Sequence, residues 1–228
     1  METFYIYFVS KVYFVYICSM NDELSIILQR VHILYRKYGI RSVTMDDVSR
    51  ELGISKKTLY QYVKDKDELV RKVIEFEIST QHVYLHGSFN ENLNAIEELT
   101  EIARCIGFML KEYSAVTEYD LKKYYPDLYV RIRELRRERM FKFIQDNLIK
   151  GKQEGLYREN LNVEFLSKLS VSHIDSMFES EIITLTEFLE QRFFFEYFVY
   201  HLRGIVNEKG LQILEDQLQK LEAEKNKG

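Results

Sequence analysis

Proline is almost absent from this chain: one in 228 residues, alongside nine glycines, two cysteines and no tryptophan. So few breakers permit long helices from end to end. Two cysteines, Cys18 and Cys105, show no metal-ligand spacing; they exclude a disulfide framework and fit a reducing cytoplasm. Cys105 falls beside Ile102 and Ile106 on an apolar helical face, so a buried, inert thiol is expected rather than a redox sensor. Positive charge is not in excess, and the net charge of −4 argues against a nonspecific polyanion binder. Catalytic signatures are missing too. No P-loop, GxGxxG, HExxH or nucleophile–base pairing occurs, and the five histidines are scattered. His82 and His86 stand four apart but lack a third ligand, so no metal and no cofactor are expected. No enzyme is expected.

What is present is concentrated in residues 44–66, TMDDVSRELGISKKTLYQYVKDK. Thr44 is a good N-cap with Asp47 three residues on, and Val43 and Val48 sit at hydrophobic-staple positions. The device repeats at once: Ser55 caps, with Ile54 and Leu59 as its staple, and Gly53 occupies the turn between them. Two cap-and-staple units joined through a glycine spell helix-turn-helix. The second helix, expected over residues 55–63, has one apolar edge, Leu59 and Val63. Lys56, Lys57, Thr58, Tyr60, Gln61 and Tyr62 are left outward or sideways. Lysines at a helix N-terminus oppose the macrodipole, so helix stability explains them poorly; phosphates or guanine edges as partners explain them well. The charge distribution agrees, since residues 21–75 hold 11 Lys and Arg against 9 Asp and Glu while residues 76–228 hold 20 against 26.

The run GIRSVTMDDVSRELGISKKTLYQYVKDKDELV closely resembles the DNA-binding domain of the tetracycline-repressor (TetR) family of bacterial transcriptional regulators, over roughly Leu24 to Ile74. The resemblance implies that Thr44 and Tyr60 contact phosphates, that Lys56, Lys57, Thr58, Gln61 and Tyr62 face the groove, and that Lys66 sits on the DNA backbone at the start of the next helix; Ser55 is counted with the DNA-binding residues. It also implies double-stranded DNA with a palindromic operator as partner, a homodimer, and a small-molecule effector in the body. The rest of the chain matches the family only in length and helical character.

The expected fold is all-α: a three-helix helix-turn-helix domain over residues 21–74, then a helical regulatory and dimerisation domain over residues 75–228. Residues 1–20, with four Tyr and three Phe, are expected to be a spurious or disordered extension, Met20 being the preferred start and Asn21 or Asp22 the first cap. The start carries Glu and no cleavage site, and Lys11 sits near the centre of a short apolar stretch, so neither signal peptide nor membrane span is favoured. An amphipathic helix then ends at Gly39, and Asp65 with Glu68 opens a long connecting helix.

Body helices are expected over about residues 92–113, 127–150, 163–178 and 186–206, with GKQEGLYRENLN as a loop from Gly151 and a short amphipathic helix through Leu211 and Leu221. Pro126 is well placed in a first helical turn. Arg131, Arg133, Arg136, Arg137 and Arg139 with interleaved Glu134 and Glu138 are expected as an ion-paired, solvated face rather than a second DNA patch. The run FFFEYFVY from Phe193 to Tyr200 is apolar on nearly every side and asks for a second subunit. The expected dimer residues are Leu166, Leu169, Phe188, Phe195, Val199 and Leu202. Phe108, Tyr113, Tyr119, Tyr124, His173 and Phe178, large and near the middle of body helices, are candidates to line an effector pocket, although each alone fits plain core as well; the aromatic excess points to an apolar or planar effector. The expected function is a cytoplasmic repressor relieved by that effector. Alternatives are control by a protein partner, a membrane tether through residues 1–19, or a helical enzyme.

Overall fold

The computed structural model describes residues 23–86, 92–111, 113–178, 180–184, 186–187 and 190–225. The expectations for residues 1–20, for a cap at Asn21 or Asp22 and for Phe188 lie outside the described residues, as do the side chains of His82, His86, Cys105, Phe108 and Phe178. Every named element is a helix: α1 Glu23–Tyr38, α2 Met45–Leu52, α3 Lys56–Leu59, α4 Lys66–His86, α5 Ala95–Lys111, α6 Ala115–Tyr124, α7 Pro126–Gln153, α8 Val163–Phe178, α9 Gln191–Ile205 and α10 Glu208–Lys225. The fold is all-α. The chain forms two compact units, Met1–Ser88 with Ser114–Ile132, and Phe89–Tyr113 with Arg133–Gly228.

In the first unit α1 buries Ile27, Leu28, Val31, Leu34 and Tyr35, the three-and-four spacing of an amphipathic helix, and packs on α4, which buries Leu69, Val70, Val73 and Ile74. Gly39 ends α1 at φ +84°, a conformation that costs glycine little; a Cβ there would also meet Val116 Cγ1 at 2.7 Å. At the α4 start Asp65 caps as its sequence signal implies, with Glu68 N–H donating to Asp65 Oδ1 (2.8 Å), but the Glu68 carboxylate accepts from Lys64 N–H (2.7 Å), one residue ahead of the cap. Residues 115–124, which carried no helix signal beyond their tyrosines, form α6. Its Ser114 cap hydroxyl donates to the Arg36 carbonyl near the C-terminus of α1 (2.8 Å), and the Thr117 hydroxyl gives the Tyr35 carbonyl a second donor (2.7 Å) beside the Gly39 N–H (2.8 Å).

The second unit is organised around Tyr157, fully buried among Ile96, Leu148, Phe198, Leu202 and Leu214. Its hydroxyl donates to Asn147 Oδ1 (2.9 Å), and Asn147 Nδ2 donates to the Ala95 carbonyl (2.9 Å) and Glu98 (3.2 Å), so a buried amide joins α5, α7 and the turn after α7. The expected loop at Gly151 is corrected. Helix α7 continues to Gln153, and the turn falls at Gly155, φ +66°. Gly151 is there because the Tyr157 ring lies against its backbone, not because the helix stops. Asn207 bridges to the Gly155 carbonyl (3.0 Å) while its Oδ1 caps the Gly210 N–H (3.0 Å), locking the start of α10.

Three of the α7 arginines are ion-paired, but to acids on α4 and α8 rather than to the interleaved Glu134 and Glu138: Arg131 to Glu75 (3.7 Å) in the first unit, and Arg133 and Arg137 to Asp175 in the second. On α9, His201 is half-buried, and burial with help from His173 holds its imidazole below the ordinary 6.5. The unfolded chain then binds that proton more readily, so stability is present above 6.5 and is lost as pH falls through the depressed value. Melting curves between about pH 8 and 5 should fall more steeply for wild type than for His201→Gln; parallel curves would remove this histidine as a contributor.

Candidate nucleic-acid interface

Helix α2 begins in a complete capping box. Thr44 Oγ1 accepts from Asp47 N–H (3.2 Å), and Asp47 Oδ2 accepts from Thr44 N–H (2.9 Å) and from its hydroxyl (2.6 Å). Those bonds from Thr44, side chain first and backbone second, hold the Asp47 carboxyl below the usual carboxylate range. The helix ends at Gly53, φ +69°, whose N–H returns to the Arg50 carbonyl (3.2 Å) while Ile54 N–H reaches Ser49 (3.1 Å). Ser55 then caps α3 by accepting from Thr58 N–H (3.0 Å). The staple residues Val43, Val48 and Leu59 are buried.

The second helix is shorter than the expected 55–63. It spans Lys56–Leu59, and residues 60–62 continue as tighter turns, Gln61 N–H to Thr58 (3.1 Å) and Tyr62 N–H to Leu59 (3.0 Å). The physical reason is the distance to the next cap: Val63 must reach the core, and Asp65 must open α4 two residues later. The outward set survives this change. Ser55, Lys56, Lys57, Tyr60 and Gln61 are exposed, as is Thr44; Thr58, Tyr62 and Lys66 are half-buried. Beneath them Leu59 and Val63 anchor the segment.

Several of the predicted residues have intramolecular roles that sequence did not reveal. Lys56 pairs with Asp46, and the Tyr62 hydroxyl donates to the Glu23 carboxylate. Lys66 Nζ donates to the Arg41 carbonyl (3.0 Å); burial first, with Arg41 adding to it, lowers its pKa against the pull of Asp120, Asp47 and Asp67. Lys72 Nζ donates to the Tyr62 carbonyl (2.8 Å), and Arg30 on α1 reaches the Leu52 (3.4 Å) and Glu51 carbonyls at the end of α2. Each clamps a helix end that a strong propensity would otherwise have to hold. Nothing local signals Arg30, which acts across 21 and 22 residues.

Of the six effector candidates, the side chains of Phe108 and Phe178 lie outside the described residues, and the other four divide between the two units. Tyr119 and Tyr124 lie exposed on α6 in the first unit, whereas Tyr113, half-buried, and His173, exposed on α8 rather than in the core, belong to the second. Of the dimer candidates Leu166, Phe195 and Val199 are half-buried and Leu169 is exposed, but Leu202 is fully buried in its own core and has no surface to offer a partner. Among the described residues no group of three or more potential metal ligands occurs, and no helix is long and apolar enough to cross a membrane.

Residues 27–73 match the sequence model for bacterial regulatory proteins of the tetR family. The chain is 28% identical over 158 residues to the HTH-type transcriptional regulator YvaF of Bacillus subtilis (strain 168), covering 68% of this chain and 80% of that one. In fold it is similar to a transcriptional regulator of Cytophaga hutchinsonii, TM-score 0.66 at 16% identity over 81% of this chain and 99% of the other. It is similar also to the ketosteroid transcriptional regulator KstR2 of Mycobacterium tuberculosis, TM-score 0.51 at 18% identity over 83% and 97%.

Proposed function

We infer that this chain, a DNA-binding transcriptional regulator of the TetR family and not an enzyme, acts as a homodimeric repressor on a palindromic operator and is released by a small apolar or aromatic effector. The observation that carries the DNA reading is the α2–α3 unit. Its apolar side chains are sealed beneath it while Lys57, Tyr60 and Gln61 stand exposed on one short segment fixed at both ends by caps and clamps. Such a segment offers cations, a phenol and an amide at fixed spacing, which suits phosphate positioning by Tyr60 and Thr44 and base-edge contact by Lys57 and Gln61.

Dimerisation is supported by α8, where Phe165 (59% exposed) and Leu169 (36%) share one face with Ser172, His173 and Ser176. Two such dimer-related heads would present their α3 segments about one helical turn, roughly 34 Å, apart. An effector acts only through different affinity for the DNA-fitting and non-fitting arrangements. We place it in the second unit, and the name of the structural relative KstR2 is consistent with an apolar ligand. Such a regulator would work in the cytoplasm, where its DNA is.

The test is binding to an operator selected from random duplexes by the purified chain. Lys57→Ala and Gln61→Ala should each lose about 5- to 100-fold and relax base preference at one position, the loss of one good base contact. Tyr60→Ala should weaken all sequences alike and flatten the salt dependence. Variants that fold by circular dichroism and bind like wild type would overturn the assignment. For the effector, thermal-shift screening of apolar and aromatic compounds should yield hits that also release the operator; a flat screen would favour control by a protein partner.

A further inference from the structure

We propose that Arg41 and Lys123, held on the rings of Tyr124 and Tyr119, form a phosphate-binding ladder that carries the DNA footprint onto the backbone outside each operator half-site. The proposal rests on the operator reading above and adds to it a surface contributed by α6. Arg41 lies in the α1–α2 turn, its Cζ 4.7 Å from the centre of the Tyr124 ring, and its guanidinium donates to the Tyr124 hydroxyl. Lys123 Nζ stands 5.1 Å from the Tyr119 ring centre and 5.5 Å from that of Tyr124, and donates to the Tyr119 hydroxyl (2.7 Å). Both rings are exposed, at 56% for Tyr119 and 37% for Tyr124.

The two cations are oriented but not neutralised. Neither has an ion pair among the described residues, and Asp120, the acid nearest in sequence to Lys123, is buried and turned inward, accepting from the Arg41 backbone N–H (2.8 Å). Phenol oxygens take one donor from each cation, which leaves four on the guanidinium and two on the ammonium. Exposed cations fixed on aromatic faces, with spare donors and no carboxylate, match an anionic oxygen partner.

Position selects DNA backbone as that partner. The Arg41 carbonyl accepts from Lys66 Nζ, so the ladder begins one hydrogen bond from a residue of the DNA-facing set, and Thr44 follows Arg41 by three residues. The mount is rigid. Ser114 and Thr117 bond the end of α1, Asp120 holds the Arg41 N–H, and Val116 fills the space over Gly39. Lys122, also exposed on α6, adds charge beside it.

Two duplexes decide the matter: the selected operator trimmed to its half-sites, and the same operator lengthened by about ten base pairs at each end, one helical turn. The full-length wild-type chain should gain affinity on the longer duplex. Arg41→Gln with Lys123→Gln should abolish that gain, a loss of roughly three- to tenfold at low salt, and lower the slope of log affinity against log salt by about 0.9 per phosphate released. On the short duplex the double variant should match wild type, and Tyr124→Phe, which keeps the ring, should retain most of the gain. A double variant that keeps the length dependence, or that loses equally on both duplexes, overturns the ladder while leaving the operator reading intact. Wild type binding neither duplex overturns that reading and the ladder with it.

Discussion

Replacing Gly151 by alanine should lower the melting temperature by about 5 to 10 °C, although intrinsic helix propensity argues for the opposite sign. Within a helix, Gly→Ala is worth up to about 1 kcal/mol of stabilisation. At this position a Cβ would overlap the Tyr157 ring outright, its contacts falling on Cγ, Cδ2 and Cε2. The ring has nowhere to go: Tyr157 is fully buried, and its hydroxyl is bonded to Asn147, which is itself committed to the Ala95 carbonyl and Glu98. Relief therefore means moving α7 against the turn that follows it or breaking the buried amide network. Overpacking of this kind costs typically about 1–3 kcal/mol, and an orphaned buried hydrogen-bonding group adds about as much again. At roughly 2–4 °C per kcal/mol for a domain of this size the packing loss dominates. Gly204→Ala is the internal control. It lies in helix α9 with nothing near its would-be Cβ and should hold or raise the melting temperature. If calorimetry shows Gly151→Ala melting no lower than Gly204→Ala, the Tyr157 contact is not what fixes the glycine.

The same glycine shows where the sequence was readable and where it was not. Thr44, Ser55, Gly53 and Asp65 were legible because a cap acts within four residues, and the chemistry of a hydroxyl, a carboxylate or a missing Cβ is visible in the letters themselves. Gly151 carried the right residue for a reason six positions away in sequence but in contact through the fold, so it was misread as a stop. The attachment of α6 to the head was illegible. Asp120 meets Arg41 across 79 residues, and Thr117 meets Tyr35 across 82. Large aromatic residues mid-chain looked like pocket lining, yet size says nothing of facing, and Tyr119 and Tyr124 turned outward onto cations instead. In the FFFEYFVY run Phe198 is buried and Phe193, Phe195, Tyr197 and Val199 are half-buried, which leaves Tyr200, 79% exposed, as the uncovered aromatic among its described side chains. Tyr200 on that helix and Phe165 and Leu169 on α8, whose Leu169 belongs to the expected interface set, are then the exposed side chains a second subunit would cover.

Phe165→Glu combined with Leu169→Glu should convert a dimer to a monomer and cost the palindromic operator about 100- to 10,000-fold in affinity. Both side chains are four apart and exposed on α8, in line with Ser172, His173 and Ser176, while Ser167 and Ser170 are buried. Small serines next to a phenylalanine and a leucine let a second helix approach closely and bury them, and a carboxylate at each position would have to be desolvated, four times over in a two-fold pair. The effect on DNA follows from linkage rather than from any contact with it. In a dimer the first head, once bound, holds the second at an effective concentration in the millimolar range, and that advantage vanishes when the heads separate. A single half-site makes the distinction, since wild type and variant should bind it alike and differ only on the palindrome. Sedimentation measures the other half of the prediction. A double variant that still sediments as a dimer would clear α8 of the interface, and a wild-type chain that sediments as a monomer while binding the palindrome tightly would end the dimer reading altogether. A variant that loses the half-site as well has lost its head and is recognised by its melting curve.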